Sequence, residues 1–139
     1  MSPRRLERTQ ICSDADAATR LRHARKFADV AELVAGEGDD IEYASQAAAL
    51  AVLAGIAAAD AGCCKALGRR SRGRDHHAAV ALVEQIKPGG KQAAQSLSRL
   101  LRMKDESHYG LVDVGGQDLK SVLRQANDLI RFAVEVFEQ

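Results

Sequence analysis

An antiparallel all-α bundle of four main helices and one shorter one, in a single domain, is the architecture this sequence predicts, and three observations predict it. The chain has 139 residues, enough for one core without staples. By count 25 of them are Ala, and aromatic residues make up only 4% with no Trp, which favours close-packed helices over a sheet. Apolar residues recur at three and four along most of the length, and the breaks between these runs are short, so successive helices should lie antiparallel.

Residues 1–12 are basic and unpatterned and read as a flexible arm, leaving 13–139 as the helical domain. Ser13 is a suitable N-cap, with Asp14 and Asp16 in the first turn where carboxylates complement the helix dipole. Ala17, Leu21, Ala24, Ala28 and Ala31 then form a stripe, widened by Phe27, Val30 and Val34, and Gly36 and Gly38 end a first helix over 14–35. A second helix begins at Ile41, with Asp39 or Asp40 as its cap, and is apolar all round from Ala44 to Leu67. Such a helix must be covered on every side, which makes it the core element. Its many Ala and Gly residues let neighbouring backbones approach closely. At 13 residues the uninterrupted apolar run 47–59 is shorter than the roughly 17 to 25 residues that cross a bilayer, so no membrane association is expected.

Gly68 ends that helix and a basic loop follows. A short third helix runs from an Asp75 cap to about Lys87, where Pro88-Gly89-Gly90 stops it. The fourth spans 91 to about 107, with Ala94, Leu97, Leu100 and Leu101 inward and Gly110 as its stop. After Gly115-Gly116 the fifth has the most regular stripe: Leu119, Val122, Leu123, Ala126, Leu129, Ile130, Ala133 and Phe137.

Charge narrows the function. Twenty basic residues against nineteen acidic ones give a net charge of +1, which excludes a uniformly basic nucleic-acid coat. The balance is a cancellation: seven carboxylates and no base lie between Asp29 and Asp60, while basic residues cluster at 4–26 and 65–74. Polarisation of this kind suits pairing of subunits by opposite patches. Four arginines in six residues, Arg69, Arg70, Arg72 and Arg74, form a candidate phosphate-binding loop, with a solvated surface loop as the plain alternative. Asp60, set among apolar residues, either faces a bundle edge or pairs with Lys65 or with an arginine of another helix. Cys12, Cys63 and Cys64 form no even disulfide framework, so Cys63 and Cys64 read as small apolar core residues. That cysteine usage fits a reducing, cytoplasmic setting, and the charged N-terminus, with no apolar run behind it, is not a secretory signal. Adjacent helical residues point about 100° apart, so neither Cys63-Cys64 nor His76-His77 suits one metal ion; no metal and no cofactor are expected.

The densest polar cluster is Arg102-Met103-Lys104-Asp105-Glu106-Ser107-His108-Tyr109-Gly110. A histidine can take the proton from a ribose 2′-hydroxyl, and an arginine can neutralise charge growing on the phosphate; together they can cleave RNA without a metal. On one helix six steps set the two side chains about 120° apart, so convergence requires the helix to loosen or a second copy to close the site. The structural alternative is that Arg102 pairs with Asp105 or Glu106 one turn on.

This segment, late in an Ala-rich helical chain of this length, resembles the Arg-x(4–6)-His signature of HEPN domains. As architecture the resemblance covers about 14–138, and as motif only this segment. It implies an antiparallel bundle that forms a homodimer, with Arg102 and His108 as catalytic residues. Asp105 and Tyr109 are supporting candidates by position, but Tyr109 follows the histidine directly where one subgroup has an intervening residue, and Asp105 and Glu106 place negative charge where a phosphate would come. It further implies a metal-independent endoribonuclease, toxin or defence-like, that leaves a 2′,3′-cyclic phosphate, with a small nucleotidyltransferase as a possible antitoxin. Other members only bind nucleotides, RNA or proteins. Met103 departs from the polar residue usual after the arginine.

Overall fold

The computed structural model describes residues 9–37, 41–72, 76–108 and 114–139, with the side chains of Ile41 and of residues 105–108 outside the description. The first helix starts where the sequence places a cap. Ser13 Oγ accepts from the Asp16 backbone N–H at 3.1 Å, and an Asp16 carboxylate oxygen accepts from the Ser13 N–H at 2.8 Å, a reciprocal capping box. Those bonds hold the Asp16 carboxyl below its ordinary value. From this cap α1 runs Asp14–Ala35, and α2 follows over Ile41–Leu67. The remaining helices are α3 (His77–Glu84), α4 (Gly90–His108) and α5 (Gly116–Glu138). The chain is an all-α helical bundle with one small two-stranded sheet.

Helix α2 is the axis of the bundle. Ala47, Ala51, Ala54, Ala57, Ala58 and Ala61 are sealed from solvent, and α1, α5, α4 and α3 all pack against it. Although long and apolar enough to cross a membrane, it is mostly buried inside the bundle, as the core helix of a soluble protein is. Glycine is needed where helices touch: a Cβ on Gly55 would collide with Leu100 and press on Leu129, and one on Gly62 would sit 3.2 Å from the Phe132 ring. At the α3–α4 corner a Cβ on Gly90 would strike the Val83 carbonyl oxygen. The aliphatic core is Leu97, Leu100 and Leu101 of α4, Leu129 of α5 and Val83 of α3.

Several expectations need correction. Residues 1–8 lie outside the described residues, but 9–12 are not a free arm. Thr9–Ile11 form β1, paired antiparallel with β2, Arg69–Ser71, in the register Thr9 to Ser71, Gln10 to Arg70 and Ile11 to Arg69. The cysteine reading fails in the same place. Cys12 and Cys64 form a disulfide, their Cα atoms 5.5 Å apart, which fastens β1 to the end of α2; Ala17 and Phe137 pack around it. Cys63 alone is the small apolar core residue expected. Burial, then the charge of Asp60, pushes its thiol up to about 12. Two helical stripes also shift. Val30 is exposed, and on α5 Phe132 and Val136 are buried while Leu119, Leu123, Ile130 and Phe137 are half-buried, because α5 faces both α2 and α4. The short third helix spans only His77–Glu84, and the proposed caps Asp39, Asp40 and Asp75 and the stop Gly110 fall outside the described residues.

Candidate functional site

The Arg102 to His108 segment makes up nearly the last two turns of α4. Leu100 and Leu101, just before it, are buried against α2 and fix how the helix lies. Arg102 is therefore on the outer surface, exposed, and makes no ion pair with a described residue. Met103, half-buried, packs on the core, which accounts for an apolar residue at that position. Helix α4 continues unbroken through His108, so the route to convergence by local loosening is closed. Six helical steps leave the Cα atoms about 9 Å apart in rise with side-chain directions about 120° apart. The Asp105 and His108 side chains, and Tyr109 altogether, lie outside the described residues. Beyond them the chain is tied back by the Val114 N–H, which donates to Ser45 Oγ of α2 at 3.1 Å.

Arg69 and Arg70, the start of the arginine cluster, belong to a strand and not to a loop. Arg69 and Arg70 are half-buried in β2 and Ser71 is buried; Arg72 beyond the strand is exposed, and Arg74 lies outside the described residues. Arg70 is already engaged: its guanidinium donates to Gln10 Oε1 at 3.3 Å and lies 3.6 Å from Asp60. Of the four arginines proposed for phosphate, Arg72 is the one that is both described and fully exposed. The segment is also remote from Arg102. Leu100 touches α2 at Gly55, and the twelve residues from there to Leu67, two residues before β2 begins, cover about 18 Å. One phosphate cannot meet both.

Asp60 is settled by its neighbours. Its carboxylate accepts from the Arg20 guanidinium at 2.9 Å, so the partner is an arginine of another helix, with Arg70 as a second cation. Burial and these cations act in opposite senses, and burial prevails: the carboxyl is raised above its ordinary value. Lys65, the other candidate partner, is bound instead to Asp14 at 3.3 Å and lies 5.7 Å above the Phe137 ring. Sequence reasoning flagged Asp60 from its apolar setting but had no means of choosing Arg20, forty residues away. It missed the Gln10–Arg70 bond and the Cys12–Cys64 bridge altogether.

A thiolate pair for a metal is unavailable in this arrangement, since Cys64 is in the disulfide and the Cys63 thiol stays protonated. Two shallow depressions, of about 310 and 350 Å³, open between α4 and α5 and beside the end of α2; neither is lined by Arg102 or by the arginine strand. No family model matches the chain, and neither a curated protein nor a solved structure is significantly similar to it.

Proposed function

We propose that this chain is a HEPN-like, metal-independent endoribonuclease that works as a homodimer. The observation that carries the reading is Arg102: a solvent-facing guanidinium without an ion-pair partner among the described residues, on a helix that continues to His108. An exposed charge in that state is open to phosphate, whereas one locked to a carboxylate is not. Because the unbroken helix separates the two side chains, Arg102 of one copy works with His108 of the other. His108 takes the proton of the 2′-hydroxyl, the 2′ oxygen attacks the adjacent phosphorus, and Arg102 neutralises the charge that builds on the phosphoryl oxygens. The 5′ oxygen leaves with a proton, giving a 2′,3′-cyclic phosphate and a 5′-hydroxyl. Arg72 contacts the RNA several nucleotides away. In this reading toxicity or defence is the biological role, and a nucleotidyltransferase is the type of antitoxin that accompanies it.

The test is cleavage of a mixed RNA pool by purified protein in EDTA, with end-group analysis. Cyclic-phosphate ends from the parent, and none from His108→Ala or Arg102→Ala, are expected. Complementation is the sharper arm: the two inactive variants, mixed, regain up to a quarter or so of parental activity if a site draws on both chains. No cleavage by the parent under any condition refutes the nuclease. The separation of Arg102 from His108 along one helix also favours a second reading, a non-catalytic HEPN module that binds a nucleotide, RNA or a partner protein. It predicts binding that weakens on Arg102→Ala without turnover.

A further inference from the structure

Between α4 and α5 runs an open groove bordered by basic side chains that the monomer does not use. The depression of about 310 Å³ marks one end of it, with Gln92 and Ser96 of α4 on one side and Asp128 and Arg131 of α5 on the other. Seven residues of a helix make two turns less about 20°, so a residue seven places along stands on nearly the same side, about 10 Å further on. The chain turns back from the end of α4 into α5, and the two helices pack together. Arg99, seven beyond Gln92, and Arg124, seven before Arg131, therefore border the same groove from opposite sides. Lys120, eleven before Arg131, follows Arg124 by the same count, and Arg102 stands on the outer rim, about 60° around α4 from Arg99. Arg99, Arg102, Lys120 and Arg124 are all exposed, and none has an ion-pair partner among the described residues. The described acids of the groove lie at its other end, where Asp128 is held by Arg131 at 3.5 Å and Glu135 stands beyond them. From Gln85 to Lys104 the sequence has five bases and no acid; the side chains of Asp105 and Glu106, which follow, lie outside the described residues.

We propose that this groove holds the phosphodiester backbone of a single-stranded RNA, with Arg99, Lys120 and Arg124 gripping the phosphates next to the one at Arg102. Uncompensated positive charges around one groove repel one another, and a run of phosphates relieves them all while releasing its condensed counterions. Phosphate oxygens also accept the forked donors of a guanidinium, and three of the four bases are arginines. Phe132, which lines the depression, is a buried core ring and offers no face to a nucleobase, so the grip is on the backbone and binding does not depend on base sequence. The groove also has a direction. From Arg102 it runs back along α4, past exposed Lys91, to Gly90, which abuts Val83 and Glu84 of α3, and α3 packs against β2. It thus leads toward the end of the bundle that carries β2 and Arg72. The proposal rests on the ribonuclease reading for its ligand and shares Arg102 with it, but adds no step to the chemistry.

The test is binding of the full chain to a fluorescent single-stranded oligonucleotide of mixed sequence with 2′-O-methyl riboses. These lack the attacking hydroxyl and so report binding without turnover; cleavage of unmodified RNA is run beside it. Each phosphate contact on a single strand adds about −0.7 to the slope of log affinity against log salt, which is about fivefold in affinity at 0.1 M salt relative to 1 M. Arg99→Gln together with Arg124→Gln is therefore expected to raise Kd about 25-fold at 0.1 M salt and to flatten the slope by about 1.4. Arg25→Gln together with Lys26→Gln removes two exposed charges from α1 instead and changes Kd by less than about twofold. Circular dichroism checks that these exposed substitutions leave the fold intact. An α1 variant as weak as the groove variant, or a parent that does not bind the oligonucleotide, overturns the groove as an RNA site. So does polyglutamate that binds as tightly and is lost on the same substitutions. Groove variants that bind like the parent, while the parent cleaves RNA, overturn the groove and leave the nuclease standing. Groove-dependent binding with no cleavage by the parent supports the groove and refutes the nuclease.

Discussion

Replacing Asp60 separates two roles that its carboxylate combines. Its side chain is 9% exposed, while those of Arg20 and Arg70 keep 29% and 34%. Asp60→Ala strands the Arg20 guanidinium, whose Nε is already buried without a partner. Removing one member of a fully buried pair costs about 3 to 5 kcal/mol; because water still reaches both guanidiniums, about 1 to 3 kcal/mol is expected here. Unfolding entropy of about 2.1 cal/mol/K per residue gives roughly 0.29 kcal/mol per degree for a chain of this length, so a loss of about 2 kcal/mol lowers Tm by about 7 °C. Asp60→Asn behaves differently. It keeps an oxygen for Arg20 and removes a charge that burial disfavours, so it stays within about 1 kcal/mol of the parent. The pH dependence follows from the raised carboxyl. Between the ordinary value of 3.8 and the raised native one, the folded state holds a proton that the unfolded state has released, so this group's contribution to stability falls as pH rises through that window. Asp60→Asn removes that slope. Urea titrations of the three proteins from pH 3.5 upward decide the matter. Equal stability of parent and Ala variant would refute the ion-pair account, and an Asn variant as weak as the Ala one would refute the claim that burial outweighs the worth of the charge.

Three further outcomes follow from the packing. Reducing the Cys12–Cys64 bond, or Cys12→Ser, frees a span of 52 residues and lowers stability by up to about 4 kcal/mol on the loop-entropy estimate, read as a Tm difference with and without reductant. Cys63, buried with its thiol at about 12, should show no reaction with a thiol reagent in the native protein and full reaction in denaturant. Gly90→Ala drives a methyl into the Val83 carbonyl and should destabilise by about 1 to 3 kcal/mol in thermal melts, despite Ala being the better helix former.

The helices were legible because their signals are local. Ser13 and Asp16 form a cap within one turn, the apolar girth of α2 marks it as core, and Gly36, Gly68 and Gly89-Gly90 stand at the breaks. What escaped was what joins residues far apart. A three-residue strand such as Thr9–Ile11 has too few residues to show a period, and nothing near Cys12 announces Cys64. The arginine run was seen as a charge, but its use was not, because Asp60 and Gln10 engage Arg70 from other elements. At the Arg102 end the sequence supplied the residue types. The structure added the continuity of α4 through His108, six helical steps beyond Arg102.

The Cys12–Cys64 bridge has a consequence for how the protein would break. It makes a covalent ring of the chain from residue 12 to residue 64, enclosing all of α1 and nearly all of α2. A protease that cut between Ala35 and Ile41 would produce no fragment at all under oxidising conditions: both pieces would stay on one molecule, and the nick would show only after reduction.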